Sequence, residues 1–198
     1  GLAFARETTN RAELLVFTDR FQCYKARLSD FDDGKASQLG DYLPTKLSMD
    51  PGENVVQTVF PGDYSGFVLF FFENGKVARV ALSAYQTQTR RKKLTGAYSD
   101  KSPLAAACLL TEDTEMAVTS TEGRAVVFHT AALTPKTTRS TQGVNVMTLK
   151  PKYKVADARP LADTTIVNAA RYRARSLPIA GMLLRPEDRA EEQMTLLE

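Results

Sequence analysis

The residues of this chain with the clearest chemical potential are basic and come in runs: Arg90-Arg91-Lys92-Lys93 with Lys101, then Lys136, Arg139, Lys150, Lys152 and Lys154. Closely spaced guanidinium and ammonium groups can neutralise successive phosphates, with affinity coming from counterion release rather than from base reading. Net charge over the 198 residues is only +3, but it is unevenly spread. Residues 61–111 hold seven Lys and Arg against three Asp and Glu, whereas residues 1–60 hold seven against nine. A single basic loop most often does no more than keep a protein solvated. Recurrence at one repeat position raises these loops above that reading.

Catalytic constellations are weak by comparison. The one histidine, His129, has no Cys or Asp at ligand spacing and reads as an exposed or cross-strand structural residue. Asp30, Asp32 and Asp33 lack the ligand order of a calcium loop and read as a solvated turn. No Walker-type glycine loop is present, and the seven tyrosines are scattered in a way that strand and core roles explain. Cys23 and Cys108 fall in apolar stretches of different repeats, as reduced core residues do.

The elements that position the cations repeat. Leu14 to Leu28 maps onto Val68 to Leu82 by adding 54, and a further 48 places Glu122-Gly123-Arg124 on Asn74-Gly75-Lys76. Each copy reads as strand, tight turn, strand, polar loop and short apolar strand, the last being Val55 to Phe60, Leu104 to Leu110 and Val155 to Leu161. Asn74-Gly75 predicts a two-residue hairpin turn with positive dihedrals; the first copy has Arg20-Phe21 there, so its turn must differ. Strand-built repeats of about 40 to 50 residues indicate propeller blades. The expected fold is all-β and propeller-like, with four-stranded blades in three complete repeats (about 13–60, 66–111 and 115–161) and a degenerate fourth (162–185). Three copies are too few to close a disc, so the expected shape is an open arc.

At the ends, Gly1 to Arg6 maps onto Val55 to Phe60 and predicts the last strand of a preceding blade. Thr164 to Arg175 begins the degenerate unit, Pro178 and Gly181 break the pattern, and 186–198 reads as a charged tail. Residues 1–185 form one domain in this reading. The absence of an 18-residue apolar run or a leader with a small-residue cleavage site argues against a membrane partner and for a cytoplasmic location.

The repeat grammar, together with Lys35-Ala36-Ser37-Gln38-Leu39-Gly40-Asp41-Tyr42-Leu43-Pro44 and Arg139-Ser140-Thr141-Gln142-Gly143-Val144, resembles the C-terminal domain of the A subunit of bacterial type IIA DNA topoisomerases, gyrase or topoisomerase IV. Arg91 aligns with Arg139, and Gly96 lies near the position of Gly143. The resemblance implies a β-pinwheel, a propeller-like disc with strands exchanged between blades. It further implies a basic rim that would bind and bend double-stranded DNA. The DNA-contacting positions it implies are Arg90, Arg91, Lys92, Lys93, Lys136 and Arg139, then Lys35, Lys46, Lys101, Lys150 and Lys152.

None of these is catalytic, and the domain would hold no cofactor. ATP and magnesium belong to the parent enzyme, whose remaining A subunit and ATPase B subunit are the implied protein partners, and the implied location is the nucleoid. Gln88-Thr89-Arg90-Arg91-Lys92-Lys93-Leu94-Thr95-Gly96 keeps the Gln, two arginines and late Gly of the gyrase heptad but lacks its paired glycines, which leans toward topoisomerase IV. The rival reading is a propeller that binds partner proteins through its face.

Overall fold

Three hairpins carry the architecture. The computed structural model describes residues 13–27, 29, 47–87 and 92–190. Strands β1 (Glu13–Thr18) and β2 (Gln22–Arg27), β4 (Phe67–Phe72) and β5 (Lys76–Ala81), and β8 (Glu115–Ser120) and β9 (Arg124–His129) form the antiparallel pairs that the repeat predicts. On one side each hairpin pairs with the apolar strand that closes its own repeat: β3 (Val55–Val59), β7 (Leu104–Leu110) and β11 (Val155–Pro160). A register shift recurs in all three beside the turn, at Thr18, Phe72 and Val155. The repeat therefore extends to its bulge.

On the other side each hairpin takes a strand from the repeat that follows. β6 (Lys93–Thr95) lies on β2, β10 (Val144–Asn145) on β5, and β12 (Met182–Leu183) on β9. The sheets thus read β3-β1-β2-β6, β10-β5-β4-β7 and β11-β8-β9-β12. β7 packs beside both β3 and β11, so these three inner strands line a cleft of about 490 Å³ while β6, β10 and β12 run along the outer border. The result is a three-bladed arc with exchanged strands.

Each turn is a three-residue loop in place of the expected two-residue turn. Gly75 N–H bonds Phe72 C=O at 3.0 Å and Gly123 N–H bonds Ser120 C=O at 2.9 Å, and only the third loop residue is left-handed. Gly75 and Gly123 have φ of 90° and 86°, and Phe21 takes the same conformation at 59°. The first turn therefore matches the others and carries the strain of a bulky side chain there.

The middle sheet is buried on both faces, which explains its unbroken Phe67–Phe72 run. Val68, Phe70 and Phe72 face the first sheet with Phe17, Tyr85 and Tyr98, while Leu69 and Phe71 face Met116, Val118 and Phe128 of the third. The first seam is aromatic: Phe17 meets Phe70 and Tyr85 edge-on at 5.4 and 5.3 Å, and Tyr98 stacks on Phe70 at 5.1 Å. Burial at about 1.5–3 kcal/mol per large side chain makes these seams the main source of stability. Cys23 lies in this seam, where burial pushes its thiol up to about 12.

Thr164 to Arg175, where the degenerate unit begins, caps the third sheet. Tyr172, at the end of a single helical turn α1 (Ala169–Tyr172), packs on Ala117, Ala125 and Val127 with Leu184. Asp188, at a position where the sequence predicts a charged tail, is buried and closes the cap. Its carboxylate accepts from Val167 N–H (2.7 Å), Asn168 N–H (3.0 Å) and Tyr172 O–H (2.6 Å). Burial raises its pKa, but these hydrogen bonds outweigh it and hold the group at about 2.

Gly181 fulfils the repeat pattern that it was expected to break. A Cβ at Gly181 would come 2.5 Å from Ala125 C=O, as one at Gly143 would come 2.2 Å from Val77 C=O, and Ala125 is Val77 of the next repeat. Gly143 and Gly181 are therefore counterparts at which an exchanged strand meets its host; the position matching them in the first sheet holds Lys93 rather than Gly96.

Gly143→Ala and Gly181→Ala should each destabilise the fold by about 3 kcal/mol in urea melts, from left-handed strain plus overpacking. Gly123→Ala, with open space around its Cβ, should cost only about 1 kcal/mol; equal losses at all three would contradict the close approach. Because the folded pKa of Asp188 lies below its unfolded value, its contribution is complete above about pH 4 and disappears as pH falls toward 2. Asp188→Asn should lower Tm at pH 7 and flatten the Tm profile between pH 4 and 2.

Candidate nucleic-acid interface

The outer edge of each hairpin receives the incoming segment within one residue of the same height. Lys25 N–H bonds Lys92 C=O at 2.8 Å on β2. On β5, Lys136 N–H bonds Arg79 C=O (2.9 Å) and Ala81 N–H bonds Lys136 C=O (2.8 Å). On β9, Arg173 bridges Val127, whose carbonyl takes Ala174 N–H at 2.9 Å. Lys25, Arg79 and Val127 are the same position of successive repeats. Backbone pairing therefore sets Lys92 and Arg173 at matching points along the outer border, with Lys136, which bridges Val80, one residue beyond them. Lys92 and Lys136 are exposed, and no carboxylate among the described residues pairs with either.

A second set of cations lies at the turn end. Asp19, Glu73 and Thr121 N–H bond the carbonyls of Asn54, Pro103 and Lys154, each at 2.9 Å, so Gly52, Lys101 and Lys152 are counterparts two residues earlier. The cations thus form two bands at opposite ends of the hairpins, not the one basic rim that the resemblance implies, because each basic segment descends the length of its host strand. Five to six residues at about 3.3 Å each put the bands about 17–20 Å apart.

Charge pairing separates the bands further. At the turn end Lys150 binds Glu122 at 2.9 Å and Lys154 binds Glu73 at 3.0 Å. The Lys150 hydrogen bond, helped by Arg124, holds Glu122 below the usual carboxylate range. On the border Lys93 lies 3.5 Å from Asp50 and over the ring of Tyr24. Gln22 first, then Lys93, lowers the Asp50 carboxyl. Exposed pairs are worth only about 0–1 kcal/mol, so an incoming phosphate can displace them. Lys92 and Lys136 need no such displacement.

Arg139 has a different role. Its Nη1 donates to Ala84 C=O at 2.7 Å, anchoring its loop beside the aromatic seam. Arg90, Arg91, Lys35 and Lys46 lie outside the described residues, as do Gly1 to Arg6, Lys35 to Pro44 and the Gln88 to Arg91 part of the heptad-like string. His129 is exposed, and its Nδ1 accepts from Ala131 N–H at 3.2 Å. Arg173 is the border cation that spacing did not find. It follows a segment with no hairpin of its own, and only the ladder reveals its register.

No protein-family model matches the chain, and no curated protein matches it. Solved structures do share its fold. The crystal structure of the C-terminal domain of DNA topoisomerase IV aligns with a TM-score of 0.72 at 17% identity, over 88% of this chain and 58% of that one. The DNA gyrase A C-terminal domain gives 0.61 at 15%, over 90% and 63%. The E. coli ParC C-terminal domain gives 0.65 at 11%, over 89% and 78%. The chain therefore has the all-β fold of these domains and spans about three-fifths of the first two.

Arg139→Ala should lower stability by about 1–2 kcal/mol through loss of the Ala84 hydrogen bond. Lys136→Ala, which removes only an exposed ammonium, should leave the melting curve unchanged. Identical melting of both variants would remove the distinction drawn between them.

Proposed function

We propose that this domain binds duplex DNA without sequence preference along its outer border and bends it, as the C-terminal domain of a type IIA topoisomerase A subunit, steering segments for strand passage. The observation that carries this reading is the repeated placement of Lys92 and Lys136 on neighbouring sheets, within one residue of the same height and with no carboxylate partner among the described residues. A phosphate backbone laid along that curve meets the cations in succession, while Lys93, Lys101, Lys150, Lys152, Arg90 and Arg91 add to the field. A smooth bend of a short duplex costs about 1–6 kcal/mol, so several contacts must act together. The topoisomerase IV, gyrase A and ParC domains of the same fold supply the enzyme class. In this role the domain is non-catalytic. The rest of the A subunit, the ATPase B subunit, ATP and magnesium belong to the parent enzyme, which works at the nucleoid in the cytoplasm.

Anisotropy titration with a random duplex across a salt series tests the reading. The wild-type domain should bind with Kd of about 10⁻⁴–10⁻⁶ M at physiological salt. Lys92→Ala with Lys136→Ala should weaken every sequence alike and reduce the salt slope by about 2. Replacing Arg90, Arg91, Lys92 and Lys93 together with Ala should weaken binding further without unfolding the domain. A wild-type protein with no salt-dependent binding would favour a protein partner instead.

A further inference from the structure

Beside the border position of Arg173, the cap over the third sheet holds an open cavity of about 500 Å³ whose lining includes Arg171, Arg173 and Arg185 and contains no carboxylate. Val167, Asn168 and the alanines of α1 complete it. The three guanidiniums are differently committed. Arg173 is held in a two-point pair with Glu115, at 2.8 and 3.0 Å. Arg171 donates Nη2 to Leu183 C=O at 3.2 Å, and its Nε is shielded from solvent without an acceptor. Arg185 is exposed; its backbone N–H donates to the Tyr172 hydroxyl at 3.0 Å, and its guanidinium has no partner among the described residues. The nearby acids are occupied: Glu115 by Arg173, Glu187 by Asn168, and Asp188 by Tyr172 and the backbone of Val167 and Asn168.

We infer that Arg171, Arg173 and Arg185 form a pocket for a phosphate oxyanion. A tetrahedral group with several acceptor oxygens suits convergent planar donors, which bind phosphate by paired charge-assisted hydrogen bonds. The anion supplies the counter-charge that Arg171 and Arg185 lack among the described residues, while Arg173, fixed by Glu115, gives the pocket a rigid wall. The ligand is either a phosphodiester of duplex DNA or a free phosphate. The first source rests on the proposed function, since Arg173 lies at the third border point after Lys92 and Lys136. The second does not.

The test uses the full chain and the double variant Arg171→Gln with Arg185→Gln, leaving Arg173 to hold Glu115. Inorganic phosphate titrated at constant ionic strength should shift the arginine Nε–H resonances saturably in the wild type. The variant should bind phosphate at least about ten-fold more weakly, while remaining folded with no more loss of Tm than removal of the exposed Arg171–Leu183 hydrogen bond requires. A duplex titration then separates the sources. Loss of about two units of salt slope in the variant assigns the pocket to backbone phosphate. Unchanged duplex binding with the phosphate response lost assigns it to a free anion. Saturable phosphate binding in a protein that ignores duplex would sink the DNA reading and keep the pocket. No saturable shift, together with duplex binding equal in variant and wild type, overturns the pocket.

Discussion

The interaction on which the fold depends is the backbone pairing of each hairpin's outer edge with a strand borrowed from the next repeat. A two-stranded hairpin with one neighbour would leave β2, β5 and β9 with unpaired donors and acceptors, open to edge-on association. β6, β10 and β12 supply those partners although the last two are only two residues long. So short a strand contributes little by itself. The loops on either side of it are nonetheless tied across two blades, and that fixes where their side chains lie. Cations reach the outer border because the chain must travel there to satisfy hydrogen bonds.

The seams then hold the blades at fixed angles. The aromatic group of Phe17, Phe70, Tyr85 and Tyr98 joins the first two sheets, and a mostly aliphatic group joins the second to the third. A buried cation reinforces the second seam. Arg79 stacks 4.2 Å from Phe67 and reaches Asp113 at 2.8 Å and Thr130 C=O at 3.0 Å, spanning the linker and the third blade. Lys25, its counterpart one repeat earlier, reaches Thr87 C=O at 3.3 Å in the second repeat. One repeat position thus performs the same cross-blade tie twice with different residues.

Much of this was legible in the sequence. The offsets of 54 and 48 located the hairpins, and the Leu104 to Leu110 strand matches its predicted limits, because apolar strands and turn glycines leave strong local signals. What was not legible depended on pairing between distant segments. Val144-Asn145 and Met182-Leu183 carry no strand pattern and become strands only against their hosts. Gly181 looked like a breaker because the contact that requires it, with Ala125, lies 56 residues away. Phe21 took a conformation that its side chain disfavours because the repeated geometry on either side imposes it. The division of the cations into two bands was hidden for the same reason, since spacing along the chain does not report how far a loop runs down its host strand.

Strand exchange also constrains how such a chain can grow. A segment running from one hairpin to the end of its inner strand, such as residues 67–110, gives one strand away and receives one in return, so tandem duplication keeps donors and acceptors in balance. Among the described residues, the third sheet takes its borrowed strand from a segment with no hairpin of its own. Residues 161–190 are that segment, delivering β12 and covering the exposed apolar face with Tyr172 and Leu184. Duplication of a unit such as 67–110 would therefore lengthen the arc from within while leaving every hairpin edge paired.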